Sequence, residues 1–127
     1  MPNNKYIKGA NFERWLLTRL RALGYDGVRS AGSHTCADLI VWGSTRVDLV
    51  FDNDLYAIQC KTTNEKDVNL TDLIWQDSIR ELTAMPDNFI KVLCVKQPGN
   101  KITQLVWKRL ASDWEITWVI EDIFKLK

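Results

Sequence analysis

Asp38-Leu39-Ile40-Val41-Trp42 and Tyr56-Ala57-Ile58-Gln59-Cys60-Lys61 are the two stretches whose reading decides the fold. Each is a short apolar run of the kind that forms a strand with at least one face buried. Successive strand residues point to opposite faces, so Gln59 and Lys61 share one face while Ile58 and Cys60 share the other. If the two strands are neighbours, the carboxylate of Asp38 meets Gln59 and Lys61 near a strand end. Hard divalent cations such as Mg²⁺ take oxygen ligands and keep several waters. Asp38 offers a carboxylate, Gln59 an amide oxygen and Cys60 a backbone carbonyl. Glu13 offers a fourth oxygen, directly or through water. Lys61 then orients or polarises an attacking water and offsets charge on a phosphate. Each residue alone has a plainer reading. An aspartate before an apolar run is usually a cap, a lysine closing a strand is usually solvated, and a glutamine on a strand is usually surface.

Upstream, the pattern predicts a helix from about Tyr6 to Leu23, with Gly24 as the residue that stops it. Phe12, Leu16, Leu20 and Leu23 fall on one face of it, with Gly9 in the middle of the same arc and Leu17 at its margin. Glu13 falls inside that apolar arc, whereas Lys8, Arg14, Arg19 and Arg21 fall outside. A carboxylate on a buried face is costly unless it is paired, protonated or bound to a metal.

Tyr25 to Ser30 then reads as a short strand, followed by a small-residue loop over 31–35. The segment 43–55 carries a second apolar stretch, Val47 to Phe51, and reads as a hairpin arm. A helix from Leu70 to about Ala84 is predicted, N-capped by Asn69 with Asp72 behind it. Its apolar residues form two groups, Leu70, Leu73 and Ile74 on one side and Trp75, Ile79 and Leu82 on another. Two apolar faces point either to deep burial in one domain or to a partner chain, with a homodimer the natural form of the second. Phe89–Val95 reads as a buried strand, Pro98-Gly99-Asn100 as a turn, and Gln104–Lys108 and Glu115–Ile120 as the last strands. This order gives an α/β fold, a central mixed β-sheet flanked by helices. No repeat or linker interrupts residues 1–127, so one domain is expected.

The 127 residues include 46% apolar and 26% charged side chains, ordinary for a globular protein. No run reaches the length of a membrane span, and no secretory signal is visible. Three cysteines without CxxC spacing argue against a disulfide framework or a zinc site and for a reducing, cytoplasmic setting. The net charge of +1 says nothing about nucleic acid, but its distribution does. Residues 1–35 carry six Lys and Arg against two acids, and residues 36–72 carry three against seven. A basic third beside an acidic middle suits a phosphate-binding face next to a metal site, although surface scatter gives the same pattern. The six tryptophans are read mainly as core or interface residues rather than base-stacking platforms.

Taken together, Lys8-Gly9-Ala10-Asn11-Phe12-Glu13-Arg14, Gly24-Tyr25, Arg29-Ser30-Ala31-Gly32-Ser33-His34, Ala37-Asp38-Leu39-Ile40 and Ile58-Gln59-Cys60-Lys61 resemble the archaeal-type Holliday junction resolvases. These are members of the restriction-endonuclease-like PD-(D/E)XK nuclease superfamily. The resemblance spans roughly residues 5–95, and five blocks in matching order are far more specific than the short D…(E)xK signature. It implies a restriction-endonuclease-like core and a symmetric dimer that cuts four-way DNA junctions with Mg²⁺ or Mn²⁺. Glu13, Asp38 and Lys61 match the helical glutamate, the metal-binding aspartate and the catalytic lysine. Arg14, Arg29 and Ser33 match basic and serine positions, and with Lys8 they would contact phosphate, which sets position rather than reading sequence. The loop that includes Ser30, Ser33 and His34 would touch DNA. His34 is read as a loop residue near phosphate rather than as a general base, because no partner for it is visible.

Two departures stand out. Gln59 occupies a place where the family usually has glutamate, which keeps an oxygen but removes a negative charge. The 43–55 arm looks longer than the family's usual turn and is read as embracing the partner subunit or the DNA. The leading reading is a metal-dependent structure-specific endonuclease that resolves Holliday junctions by paired nicks in recombination or repair. The alternatives are a catalytically weak or silent branched-DNA-binding module and a nuclease of the same fold with another DNA substrate.

Overall fold

The computed structural model describes residues 4–30, 37–43, 55–68, 73–109 and 116–126, without the side chains of 4–9, 73–74, 108–109 and 116. Helix α1 spans Asn4–Ala22, beginning slightly earlier than the apolar pattern alone suggests. It ends where Gly24 adopts φ 100°, a conformation that costs a glycine little. The chain then turns into β1, Tyr25–Arg29, and runs back as β2, Leu39–Gly43. Gly27 lets these two strands approach, since a Cβ there would lie 2.6 Å from the Ile40 carbonyl oxygen.

Strand β3 is Leu55–Thr62, helix α2 is Leu73–Thr83 and strand β4 is Phe89–Gln97. Strands β5, Lys101–Arg109, and β6, Ile116–Ile120, follow a short 3₁₀ turn at Pro98–Asn100. Among the described residues, these six strands form one sheet in sequence order. Every neighbouring pair is antiparallel except β3–β4, which is parallel and connected through α2. A parallel pair requires such a crossover, and the result is the mixed sheet that the element order implies.

The helices cover opposite faces. Phe12, Leu16, Leu17 and Leu20 of α1 pack on Leu39, Val41, Ile58, Cys60, Val92, Cys94 and Val106. Trp75 and Leu82 of α2 pack on Ala57, Leu93, Val95 and Leu105. The central strands are therefore buried on both sides, which is why β3 and β4 read as continuous apolar runs. Leu23 falls on the apolar arc by periodicity but is 40% exposed, because the helix has already ended there. Trp15 is likewise 46% exposed, against the general expectation for tryptophan.

Helix α2 presents its Trp75, Ile79 and Leu82 face to the sheet. The opposite group is Leu70, Leu73 and Ile74, whose side chains lie outside the described residues, as do Asn69 and Asp72. The C-terminal end of α2 is fastened by Lys91, a fully buried lysine. Its Nζ donates to the Thr83 carbonyl at 3.1 Å and lies 3.9 Å above the Trp107 ring. Burial lowers the Lys91 pKa, and Asp87 opposes that shift. The Cys94 thiol is pushed up to about 12 by burial, and burial raises Cys60 as well, so both stay protonated and inert. Among the described residues, no helix is long and apolar enough to cross a membrane.

Candidate active site

Asp38 stands one residue before β2, where three strands meet. Its carbonyl accepts the Ser30 N–H at 2.8 Å, closing the open end of the β1–β2 pair. Its own N–H donates to the Ile58 carbonyl at 2.8 Å. Its side-chain Oδ2 accepts the Cys60 N–H at 2.8 Å. Backbone bonds on both sides thus hold the residue, and the carboxylate itself is pinned to β3. The sequence-based requirement that the Asp38 and Gln59–Lys61 strands be neighbours is met by the β2–β3 ladder, with Leu39 opposite Ile58. Gln59, Cys60 and Lys61 therefore surround the point where Asp38 touches β3.

The electrostatics of Asp38 reflect crowding. Burial raises its pKa above the ordinary aspartate value, and negative charge at Glu13 and Glu81 adds to the rise. The Cys60 N–H and the Lys61 ammonium act in the opposite direction. A carboxylate with like charges nearby and one strand-end lysine is an environment that a cation would relieve. Lys61 itself is exposed, at the solvent end of β3.

Glu13 lies on the buried side of α1, as the periodicity suggests, and the cost of that placement is offset by a partner. Arg29 of β1 donates to Glu13 Oε2 from Nε at 3.2 Å and from Nη2 at 2.9 Å. The pair is partly buried, with 18% of the glutamate side chain exposed and 34% of the arginine. Two residues that sequence reasoning assigned to separate tasks, metal binding and phosphate contact, thus engage each other. Glu13 is close enough to act on Asp38 by charge, but its carboxylate is held by Arg29.

Gln59 faces the other side of the sheet, toward α2, and is buried. Its Nε2 donates to Glu81 Oε2 at 2.9 Å. Sequence reasoning passed over Glu81. The available signal was its place on α2 beside Ser78 and Leu82, two residues of the buried stripe, since a residue flanking that stripe can reach a strand beneath it. Arg14 is exposed on α1. The side chain of Lys8, and Ser33 and His34 entirely, lie outside the described residues. So does most of the 43–55 arm.

Among the described residues, no three His, Cys, Asp or Glu side chains are grouped closely enough to enclose a metal by themselves. The site offers instead one carboxylate fixed at a strand end, an adjacent amide, and two further carboxylates acting through space. That donor set fits Mg²⁺, which binds through one or two carboxylates, retains waters and completes its shell with substrate phosphate. A separate groove of about 1040 Å³ runs between Trp15, Lys96, Lys101, Ile120, Phe124 and Leu126, and Glu13, Asp38, Gln59 and Lys61 do not line it.

Comparisons with known proteins converge on one description. Residues 4–125 match the family model described as "Archaeal holliday junction resolvase (hjc)". The fold is similar to the 1.6 Å structure of Hjc from Archaeoglobus fulgidus, described as a Holliday junction resolvase from an archaeal hyperthermophile. That similarity has a TM-score of 0.57 at 22% identity and covers 90% of this chain and 89% of the other. No curated protein sequence matches this chain.

Proposed function

The chain belongs to the archaeal Holliday junction resolvase family, and from that premise we propose that its cleavage site is the β2–β3 strand end, with Asp38 and Lys61 at its centre. Members of this family are structure-specific endodeoxyribonucleases that act on branched DNA and depend on divalent metal. The observation that carries the assignment is the bond from the Cys60 N–H to Asp38 Oδ2, which seats a carboxylate between Gln59 and Lys61.

Asp38, the Gln59 amide oxygen and the Cys60 backbone carbonyl are the groups that would hold the cation, with Glu13 contributing through water or by charge. Mg²⁺ is the preferred ion on this donor chemistry, and Mn²⁺ is a substitute with similar demands. When bound, a divalent cation stabilises the charge that builds on the phosphate and supplies a nucleophile at neutral pH. Lys61 orients the attacking water and offsets charge on the scissile phosphate. Arg14, Lys8, Ser30, Ser33 and His34 contact the backbone of the branch arms, which suits recognition of shape over sequence. Arg29 serves first to hold Glu13 and reaches phosphate from that anchored position.

Two such sites in a homodimer, joined through the α2 region at about 70–84, would place paired nicks in opposing strands. The whole chain acts as one nuclease domain. The test is cleavage of a synthetic four-way junction, a flap and plain duplex in Mg²⁺, Mn²⁺ and EDTA. Metal-dependent paired nicks in the junction alone are expected. Equal cutting of plain duplex, or junction binding without nicks in either metal, would contradict the proposal.

A further inference from the structure

Gln59 holds the strand position before Cys60, and the residue its side chain touches is an acid from another element. Gln59 is 4% exposed, and its Nε2 donates to Glu81 Oε2 at 2.9 Å. An ionised carboxylate carries acceptors only, whereas a primary amide carries a donor end and an acceptor end. Glu81 therefore fixes which way round the Gln59 amide sits. The NH₂ must face α2, and the oxygen must face away from it. Turning the amide over would set its oxygen against the Glu81 carboxylate, losing a charge-assisted bond and gaining a repulsion. Glu81 also acts by charge on Asp38 across the strand.

We propose that Glu81 is a positioning residue of the metal site: from α2 it holds the Gln59 amide with its oxygen turned away from the helix and adds to the site a negative charge that Gln59 does not carry. The inference rests on the assignment of Asp38 and Gln59 as metal-binding groups. A merely structural Glu81 would satisfy a buried amide and nothing more. Outer groups that orient a ligand set metal affinity, and their loss commonly weakens it by roughly 10–100-fold.

The experiment is titration of the DNA-free protein with Mn²⁺, following free ion by electron paramagnetic resonance. The proteins are wild type, Glu81→Gln, the double variant Gln59→Glu with Glu81→Gln, and Asp38→Asn. Glu81 is exposed on α2, so Glu81→Gln should retain the wild-type circular dichroism spectrum. Glu81→Gln should weaken Mn²⁺ binding about 10-fold or more, and the double variant should recover most of that loss, because a carboxylate at 59 brings its own charge and needs no orienting partner. In junction cleavage, Glu81→Gln should raise the half-saturating metal concentration more than it lowers the rate at saturation. Mn²⁺ affinity of Glu81→Gln within twofold of wild type, or a double variant no tighter than Glu81→Gln, overturns the inference. If Asp38→Asn loses Mn²⁺ while Glu81→Gln does not, this inference alone fails. If Asp38→Asn keeps wild-type affinity, the site assignment beneath it fails as well.

Discussion

The backbone N–H of Cys60 donates to Asp38 Oδ2 at 2.8 Å, so the aspartate that opens β2 is bound by its carboxylate to the strand that carries Gln59 and Lys61. This one bond brings two separate stretches of sequence together at the proposed site. It places a carboxylate by backbone geometry rather than by the rotamer of a loop side chain, and sites built on rigid elements hold their geometry best.

Asp38 should show the stability signature of a strained charge. Burial, with Glu13 and Glu81 adding to it, raises its folded pKa above the unfolded value. Its favourable contribution is then fully present when the carboxyl is protonated and is lost as pH rises through the folded pKa. Asp38→Asn keeps an oxygen for the Cys60 N–H and removes the repulsion. In metal-free buffer its melting temperature should exceed wild type by on the order of a few degrees at pH 7–8. The gap should close toward pH 4. A variant less stable than wild type at pH 8, measured by calorimetry with EDTA present, would contradict this reading.

The Arg29–Glu13 pair should behave as a partly buried unit. Arg29→Met leaves Glu13 on the α1 core face without its guanidinium and should cost roughly 1–2 kcal/mol, less than a fully buried pair because water reaches both groups. Adding Glu13→Gln to Arg29→Met should recover part of that loss. Urea denaturation of the four proteins gives the coupling, and strict additivity of the two single changes would show that the pair is not a unit.

Gln104 should matter more than a strand glutamine ordinarily does. It is buried, and both ends of its amide bind one backbone: Nε2 donates to the Phe124 carbonyl at 2.8 Å, and the Phe124 N–H donates to Oε1 at 3.0 Å. This clasp holds the Phe124 ring against Tyr25 and Tyr56 under α1. Gln104→Leu leaves two buried backbone groups without partners and should lower stability by roughly 2–4 kcal/mol. An unchanged urea midpoint would mean that the C-terminal segment contributes nothing to the fold.

Much of this arrangement was legible in the sequence because its main signals are periodic. The Phe12, Leu16, Leu20 stripe marked the α1 face, and the doubly buried runs at 56–60 and 91–95 marked the central strands. The pairing of β2 with β3 entered the sequence reading only as a condition, and the ladder that sets Leu39 opposite Ile58 meets it. What periodicity does not carry is the partner of a polar side chain. Glu13 on an apolar face signalled a missing counter-charge, but nothing local named Arg29, which lies sixteen positions on. Lys91 lies inside a run read as a buried strand, and nothing in that run names a partner for it. Its ammonium is accommodated by the Thr83 carbonyl and the Trp107 face, one of which comes from across the crossover. Glu81 was invisible for the same reason. It reaches Gln59 only because α2 crosses the sheet at β3 and β4, a contact between elements and not a pattern within one. Family resemblance named the candidate reacting residues, and three-dimensional packing decided which of them bind each other.

The most direct test of the central claim is single-turnover cleavage of a four-way junction in Mg²⁺ by wild type, Lys61→Ala and Asp38→Asn, with junction affinity measured in parallel in EDTA. The account predicts that both variants bind the junction within a few-fold of wild type and cut it at least about 100-fold more slowly. Cleavage by both variants at the wild-type rate would contradict it and would move the active site away from the β2–β3 strand end.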